Sequence, residues 1–238
     1  GRKVPFLSIP GADAMLVREH AAHALGDMGL AANAAIPELI LALRNSNPDV
    51  LAEVERSLRK MWRSALPSLL QALTHQDARI RGGAAEVLKE FGEPAKVAVP
   101  ALLARLRDES APVRVRAATA LGVLGKENLT VVKALVTALS DGDSDVRGAA
   151  AESLGRLGPA AKAAVAVLPR VLFDTVPAVR VQAAKAVWKI SGESASVLPV
   201  LAEALRDRNV GWQAAFVIGE IGPPAAESVP ALIEALKQ

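Results

Sequence analysis

The chain has 238 residues, 51% of them apolar, and contains no cysteine and no tyrosine. That excludes a disulfide frame, a thiol nucleophile and a thiolate metal site. Basic residues exceed acidic ones by only three and the two signs alternate along the chain, which is not the footprint of a nucleic-acid stripe.

No apolar run reaches bilayer-spanning length, and the start, Gly1-Arg2-Lys3-Val4-Pro5, has no signal-peptide core. Residues 1–13 read as a degenerate half-unit: Val4-Pro5-Phe6-Leu7 resembles a helix opening, and Asp13 falls in a turn. Units then start near residues 14, 47, 77, 110, 143, 176 and 207. The marker is Val-Arg-x-x-Ala-Ala-x-x-Leu-Gly-x-x-Gly, clear at Val17-Arg18, Val113-Arg114 and Val146-Arg147. It is looser at Val50, Ile80-Arg81, Val179-Arg180 and Val210. Self-similarity every ~30–33 residues marks stacked supersecondary units. Such a stack forms one continuous core, so a single domain over 1–238 is expected.

The fourth unit shows the plan of each. Asp108-Glu109-Ser110-Ala111-Pro112 is a polar turn, with Pro112 where a first helical turn can spare an N–H. Val113, Ala117, Ala118, Leu121 and Leu124 share one face of a first helix (A), and Gly125 stops it. A second helix (B) turns Leu135, Val136 and Leu139 inward. The alanine pair lets neighbouring helices approach closely. Pro37, Pro67, Pro100, Pro199 and Pro230 are read as openings of B helices. Pro169 falls three positions late, so that B helix either starts late or is kinked.

The turn aspartates (Asp108, Asp141, Asp174, Asp207), the Val-Arg step, the alanine pair, the Leu-Gly-x-x-Gly ending and the Pro-x-Leu opening resemble HEAT repeats of the short, bilin-lyase-like type. The resemblance covers nearly the whole chain. It implies an all-α, right-handed α-α superhelix of about seven hairpins, with A helices convex and B helices lining the concave side. It also implies that Arg18, Arg81, Arg114, Arg147 and Arg180 form an Asp–Arg ladder between turns, with Leu51 and Gly211 breaking the series. A fold of this kind says little about activity.

Glu19, His20, His23 and Asp27 have metal-ligand character on one helix. They fall between the expected core positions Val17, Ala21, Ala22 and Leu25, however, and a single solvent-facing helix makes a poor site, so no metal and no cofactor is expected. No Ser-His-Asp set, Walker loop or dinucleotide fingerprint is present.

Two units depart from the pattern. In the second, Val54-Glu55 replaces the alanine pair, Arg59 and Trp62 replace the glycines, and the loop is shortened; this unit is expected to be the softest. In the fifth, Phe173 takes an outward position held elsewhere by Arg44, Thr74, Arg107, Ser140, Arg206 and Lys237. It is either an exposed anchor or an inward gap-filler.

The expected function is a non-catalytic scaffold that binds a protein or peptide on the B face through Leu41, Gln71, Arg105, Arg107, Arg170, Phe173, Glu203 and Arg206. A nucleic-acid-binding or base-repair solenoid, resembling the HEAT-like alkylpurine glycosylases, is the alternative. An accessory subunit of a chromophore lyase is a third. Both ends lack a clear polar cap, as expected of a piece of a longer protein.

Overall fold

The computed structural model describes residues 12–237, and the half-unit expected at 1–13 lies almost wholly outside them. The described residues hold fourteen α-helices and no strand. In chain order the A and B helices are α1 (Ala12–Met28) and α2 (Ile36–Ala42), α3 (Pro48–Lys60) and α4 (Trp62–Ala72), α5 (Ala78–Phe91) and α6 (Val99–Arg105). They continue with α7 (Ala111–Leu124) and α8 (Leu129–Ala138), α9 (Ser144–Leu157) and α10 (Leu168–Val171), α11 (Pro177–Ser191) and α12 (Leu198–Ala204), α13 (Gly211–Ile221) and α14 (Val229–Ala235). The chain divides into two compact units, Gly1–Ala95 and Lys96–Gln238, parting within the linker between α5 and α6. The architecture is that of an all-α helical solenoid.

Short polar side chains start several of these helices. Asn47 accepts hydrogen bonds from the Asp49 and Val50 amides, Asn128 from Thr130 and Val131, and Asp143 from Asp145 and Val146. Each side chain satisfies amides that have no partner within the helix. Pro37, Pro100, Pro199 and Pro230 occupy first-turn positions as expected. Pro169 does too, because α10 starts late and is only four residues long. Pro67 is different. It lies inside α4, which begins at Trp62 directly after the break at Met61 (φ −99°, ψ 21°). The missing loop residues let that helix start four positions earlier relative to its proline than the other B helices do.

The alanine pairs sit at the helix crossings. Ala84, Ala85, Ala117, Ala118, Ala150, Ala151, Ala183 and Ala184 are all fully buried. The first glycine of Leu-Gly-x-x-Gly is not part of the helix stop. Gly26, Gly122 and Gly155 lie within their helices, where the next A helix crosses. A Cβ on Gly122 would lie 2.6 Å from the Cβ of Ser153, and one on Gly155 would lie 3.0 Å from the Cα of Ala186. The second glycine is the true stop, as at Gly158 with φ 60°. A buried serine fastens two of these crossings: Ser57 Oγ donates to the Ala22 carbonyl (2.6 Å) and Ser153 Oγ to that of Ala118 (2.9 Å).

The second repeat buries its larger side chains, although α3 packs far less extensively on α5 than on α1. Val54, Leu58 and Met61 are at most 1% exposed, so larger side chains fill the space left by the alanines. Exposed charges also bridge α1 and α3. His23 Nδ1 lies 3.0 Å from Glu53 Oε2 and its Nε2 lies 3.2 Å from Asp27 Oδ2, while Lys60 donates to Asp27. His23 thus links the two helices by its hydrogen bond with Glu53 and Lys60 by its ion pair with Asp27, and Glu19 is half-buried, not solvent-facing.

The expectation about apolar runs needs correction. Met15–Ala42 is long and apolar enough, by length and composition, to count as a membrane-span candidate. The structure folds it into two helices joined by a 3-10 stretch with a kink at Ala32, and Ile36, Leu39 and Ile40 are buried.

Candidate functional site: the exposed side of the B helices

Five of the seven B helices end on a buried leucine, and the next residue faces out. Leu43, Leu73, Leu139, Leu172 and Leu205 are at most 5% exposed, whereas Arg44, Thr74, Arg107, Ser140, Phe173 and Arg206 lie at the outward position that follows. Helical geometry turns the residue after a buried position by about 100° toward solvent. Phe173 is the one apolar member of this row and is 83% exposed. Its amide donates to the Arg170 carbonyl at 3.3 Å, which places the ring on the final turn of the short α10. It does not turn inward to fill a gap.

The other expected contact residues divide by what they touch. In the N-terminal unit, Leu41 is 37% exposed and lines a groove of about 600 Å³ with Arg18, Glu38, Arg44 and Arg79. Gln71 is exposed on α4. In the C-terminal unit, Arg107 lines a groove of about 730 Å³ with Thr130, Thr137, Ser140 and Asp141. Arg206 lines another of about 640 Å³ with Glu227, Glu234 and Lys237. Arg170 is exposed beside Phe173. Two of the set have partners of their own. Arg105 pairs with Asp108 (3.2 Å), whose side chain is 2% exposed, and Glu203 approaches Arg180 at 3.6 Å. Leu41 and Gln71 belong to the first unit and the other six to the second, and no groove among the described residues holds all of either set.

The recurrent charges of the repeat are engaged in the turns. Arg114 forks onto Asp141 (2.9 and 2.8 Å), and Arg147 onto Asp174 (2.7 and 2.9 Å). The same guanidinium reaches back to its own turn, from Arg114 to the Asp108 carbonyl and from Arg147 to that of Asp141, both at 3.0 Å. The forked hydrogen bonds from Arg114 and Arg147 hold the Asp141 and Asp174 carboxyls below their usual range, against the opposing effect of burial. The ladder is incomplete. Arg180 reaches the Asp174 carbonyl and Glu203 instead of Asp207, whose carboxylate caps the Asn209 and Val210 amides. Arg18 makes no hydrogen bond or ion pair among the described residues.

Sequence reasoning passed over a second exposed set. Trp212 (69%) and Leu236 (87%) line a groove of about 530 Å³ on α13 and α14, and Phe216 (58%) lies 5.2 Å from the Lys185 ammonium of α11. Trp212 aligns with Glu19, Gly82, Val115 and Gly148 of earlier units, so the register alone could have singled it out.

Comparison with known proteins agrees with this geometry. The profile described as HEAT repeats matches residues 36–102 and 99–168, and that of the PBS lyase HEAT-like repeat matches 210–238. Among curated proteins none matches the chain in sequence. Among solved structures, the YIBA protein of Escherichia coli superposes with a TM-score of 0.65 at 19% identity, over 96% of this chain and 80% of that one. Kap121p bound to Pho4p gives a TM-score of 0.61 at 16% identity, over 96% of this chain and 29% of that one. An engineered protein gives 0.51 at 23% identity, over 73% and 90%. At these identities the likeness is one of fold. With the profile for HEAT repeats spanning more than half of its length, the chain belongs to the HEAT-repeat family.

Proposed function

We propose that the chain is a non-catalytic binding module that takes a protein or peptide along its B helices, with Phe173 as the principal anchor. The supporting observation is the 83% exposure of Phe173 at a position where the other repeats carry arginine, lysine, threonine or serine. An exposed aromatic ring can supply a large apolar contact with few torsions to immobilise. Arg170 flanks it as a cation able to pair with a carboxylate at the rim. The test selects peptide binders on the wild-type chain and measures them against variants. Phe173→Ala should weaken selected binders by roughly tenfold or more, Arg170→Glu should weaken them less, and Lys162→Ala, in an exposed linker, should leave them unchanged. Binders that hold Phe173→Ala as tightly as wild type would refute the reading.

Nucleic acid is expected to bind weakly or not at all. The cations Arg107, Arg170 and Arg206 share the B helices with Glu203, Glu227 and Glu234, so the face carries both signs. Titration with short duplex and single-stranded DNA at low and physiological salt checks this. Tight binding that falls steeply with salt would favour the nucleic-acid alternative.

A further inference from the structure

Three consecutive B helices of the C-terminal unit carry cations and no carboxylate. With the outward residue that follows each, α6, α8 and α10 cover 99–107, 129–140 and 168–173. These stretches hold Arg105, Arg107, Lys133 and Arg170 but neither aspartate nor glutamate. Arg105 is paired with Asp108 at 3.2 Å. The side chains of Arg107, Lys133 and Arg170 are exposed and make no hydrogen bond or ion pair among the described residues.

The adjoining turn carboxylates are already engaged. Arg105, Arg114 and Arg147 hold Asp108, Asp141 and Asp174, whose side chains are 2%, 15% and 11% exposed. The last two B helices are built differently. There Glu203 and Glu234 precede Arg206 and Lys237 by three residues, one turn away on the same side, and Lys237 donates to Glu234 at 2.8 Å. The residue at that position is Ala104 in α6 and Arg170 in α10. The position that supplies a carboxylate later in the chain supplies a methyl group or a further cation here.

α6 packs on α8, and α8 on the linker that leads into α10. Arg107 shares its groove with the hydroxyls of Thr130, Thr137 and Ser140, and Phe173 stands beside Arg170. Neighbouring helices lie about 8–10 Å apart, so two such steps separate Arg107 from Phe173 by roughly 16–20 Å. An extended chain covers that span in about five or six residues.

We infer that the partner is an acidic peptide segment. An apolar side chain of the segment packs on Phe173, and an aspartate or glutamate about five or six residues away pairs with Arg107. Carboxylates between them face Lys133 and Arg170. This assignment rests on the reading of the B helices as the binding face and names the class of sequence that they take. Guanidinium groups and hydroxyls donate to carboxylate oxygens, whereas a basic segment would meet like charge. Three cations around one aromatic ring offer a nucleic acid few phosphate contacts.

Phage selection of random peptides on the 238-residue chain supplies the probes. Retained peptides should be rich in aspartate and glutamate and carry an apolar residue, and their binding should weaken as salt is raised. Arg107→Glu and Arg170→Glu should each weaken them about fivefold, and Arg107→Gln less. Both side chains are exposed, so these changes make little demand on folding. Replacing the acidic residues of a selected peptide by lysine should reverse the order. The lysine peptide should then bind the double variant, Arg107→Glu with Arg170→Glu, better than it binds wild type. Neutral or basic binders that still need Phe173 would overturn the acidic assignment and leave the binding face intact. Acidic binders indifferent to both charge reversals would overturn it as well, as would displacement of the peptide by an equal concentration of single-stranded DNA. Binders indifferent to Phe173→Ala would remove the underlying reading and this assignment with it.

Discussion

Gly122→Ala is expected to destabilise the chain, whereas Gly219→Ala, at the same register position, should leave it as stable or more so. On α7 the added methyl would sit 2.6 Å from the Cβ and Oγ of Ser153 and 2.9 Å from its Cα. Because the last of these is backbone, rotation of the serine cannot relieve the clash and α9 must move. It would also strain the buried hydrogen bond from Ser153 to the Ala118 carbonyl. Overpacking of this kind costs about 1–3 kcal/mol. On α13 the methyl meets nothing within 4 Å, and replacing a helical glycine by alanine contributes up to about 1 kcal/mol. Urea unfolding of the two variants and the wild-type chain compares them. Equal shifts in the same direction would show that the crossing is looser than its geometry implies. A Ser153→Gly change in the Gly122→Ala background should recover only part of the loss, because the methyl still meets the backbone of α9.

Arg147→Ala should be far more damaging than removal of an exposed helix-surface pair. It removes both bonds to Asp174, whose side chain is 11% exposed, and those to the Asp141 and Gly142 carbonyls. Leaving such groups without donors costs about 1–3 kcal/mol each in the buried limit, less where water reaches them. Arg156→Ala, which breaks an i,i+4 pair with Glu152 at 42% and 45% exposure, should cost no more than about 1 kcal/mol. The ladder also sets an acid limb. Asp141 and Asp174 have folded pKa values below their unfolded ones, chiefly through the forks from Arg114 and Arg147. Their contribution is therefore fully present above the unfolded value near 4, and it is lost as pH falls through the lower folded values. Urea midpoints should fall as pH drops below about 4, and Asp141→Asn with Asp174→Asn should flatten that fall. An unchanged slope in the double variant would place the acid sensitivity elsewhere.

The Val-Arg, alanine-pair and Leu-Gly-x-x-Gly pattern by itself determined the repeat, the all-helical class, the family and the register. It could do so because each position recurs in the same local environment, and helical spacing alone assigns its side. That register placed Phe173 outward, and the structure agrees. What the register could not supply was the consequence of each departure from it. The loss of loop residues before Pro67 could be counted, but only the folded chain shows α4 starting early and carrying the proline inside it. Val54 looked like a flaw where alanine is usual, yet burial to 1% shows that the crossing had room for it. The two glycines of one motif read alike in sequence. Tertiary structure separates them, because one lies against the neighbouring backbone and the other ends its own helix. The ladder likewise stops at Arg180, since its reach to Glu203 depends on where α12 lies. Periodicity reports what each repeat shares with the others. Whether an outward position such as Phe173 is covered is decided by neighbours in space.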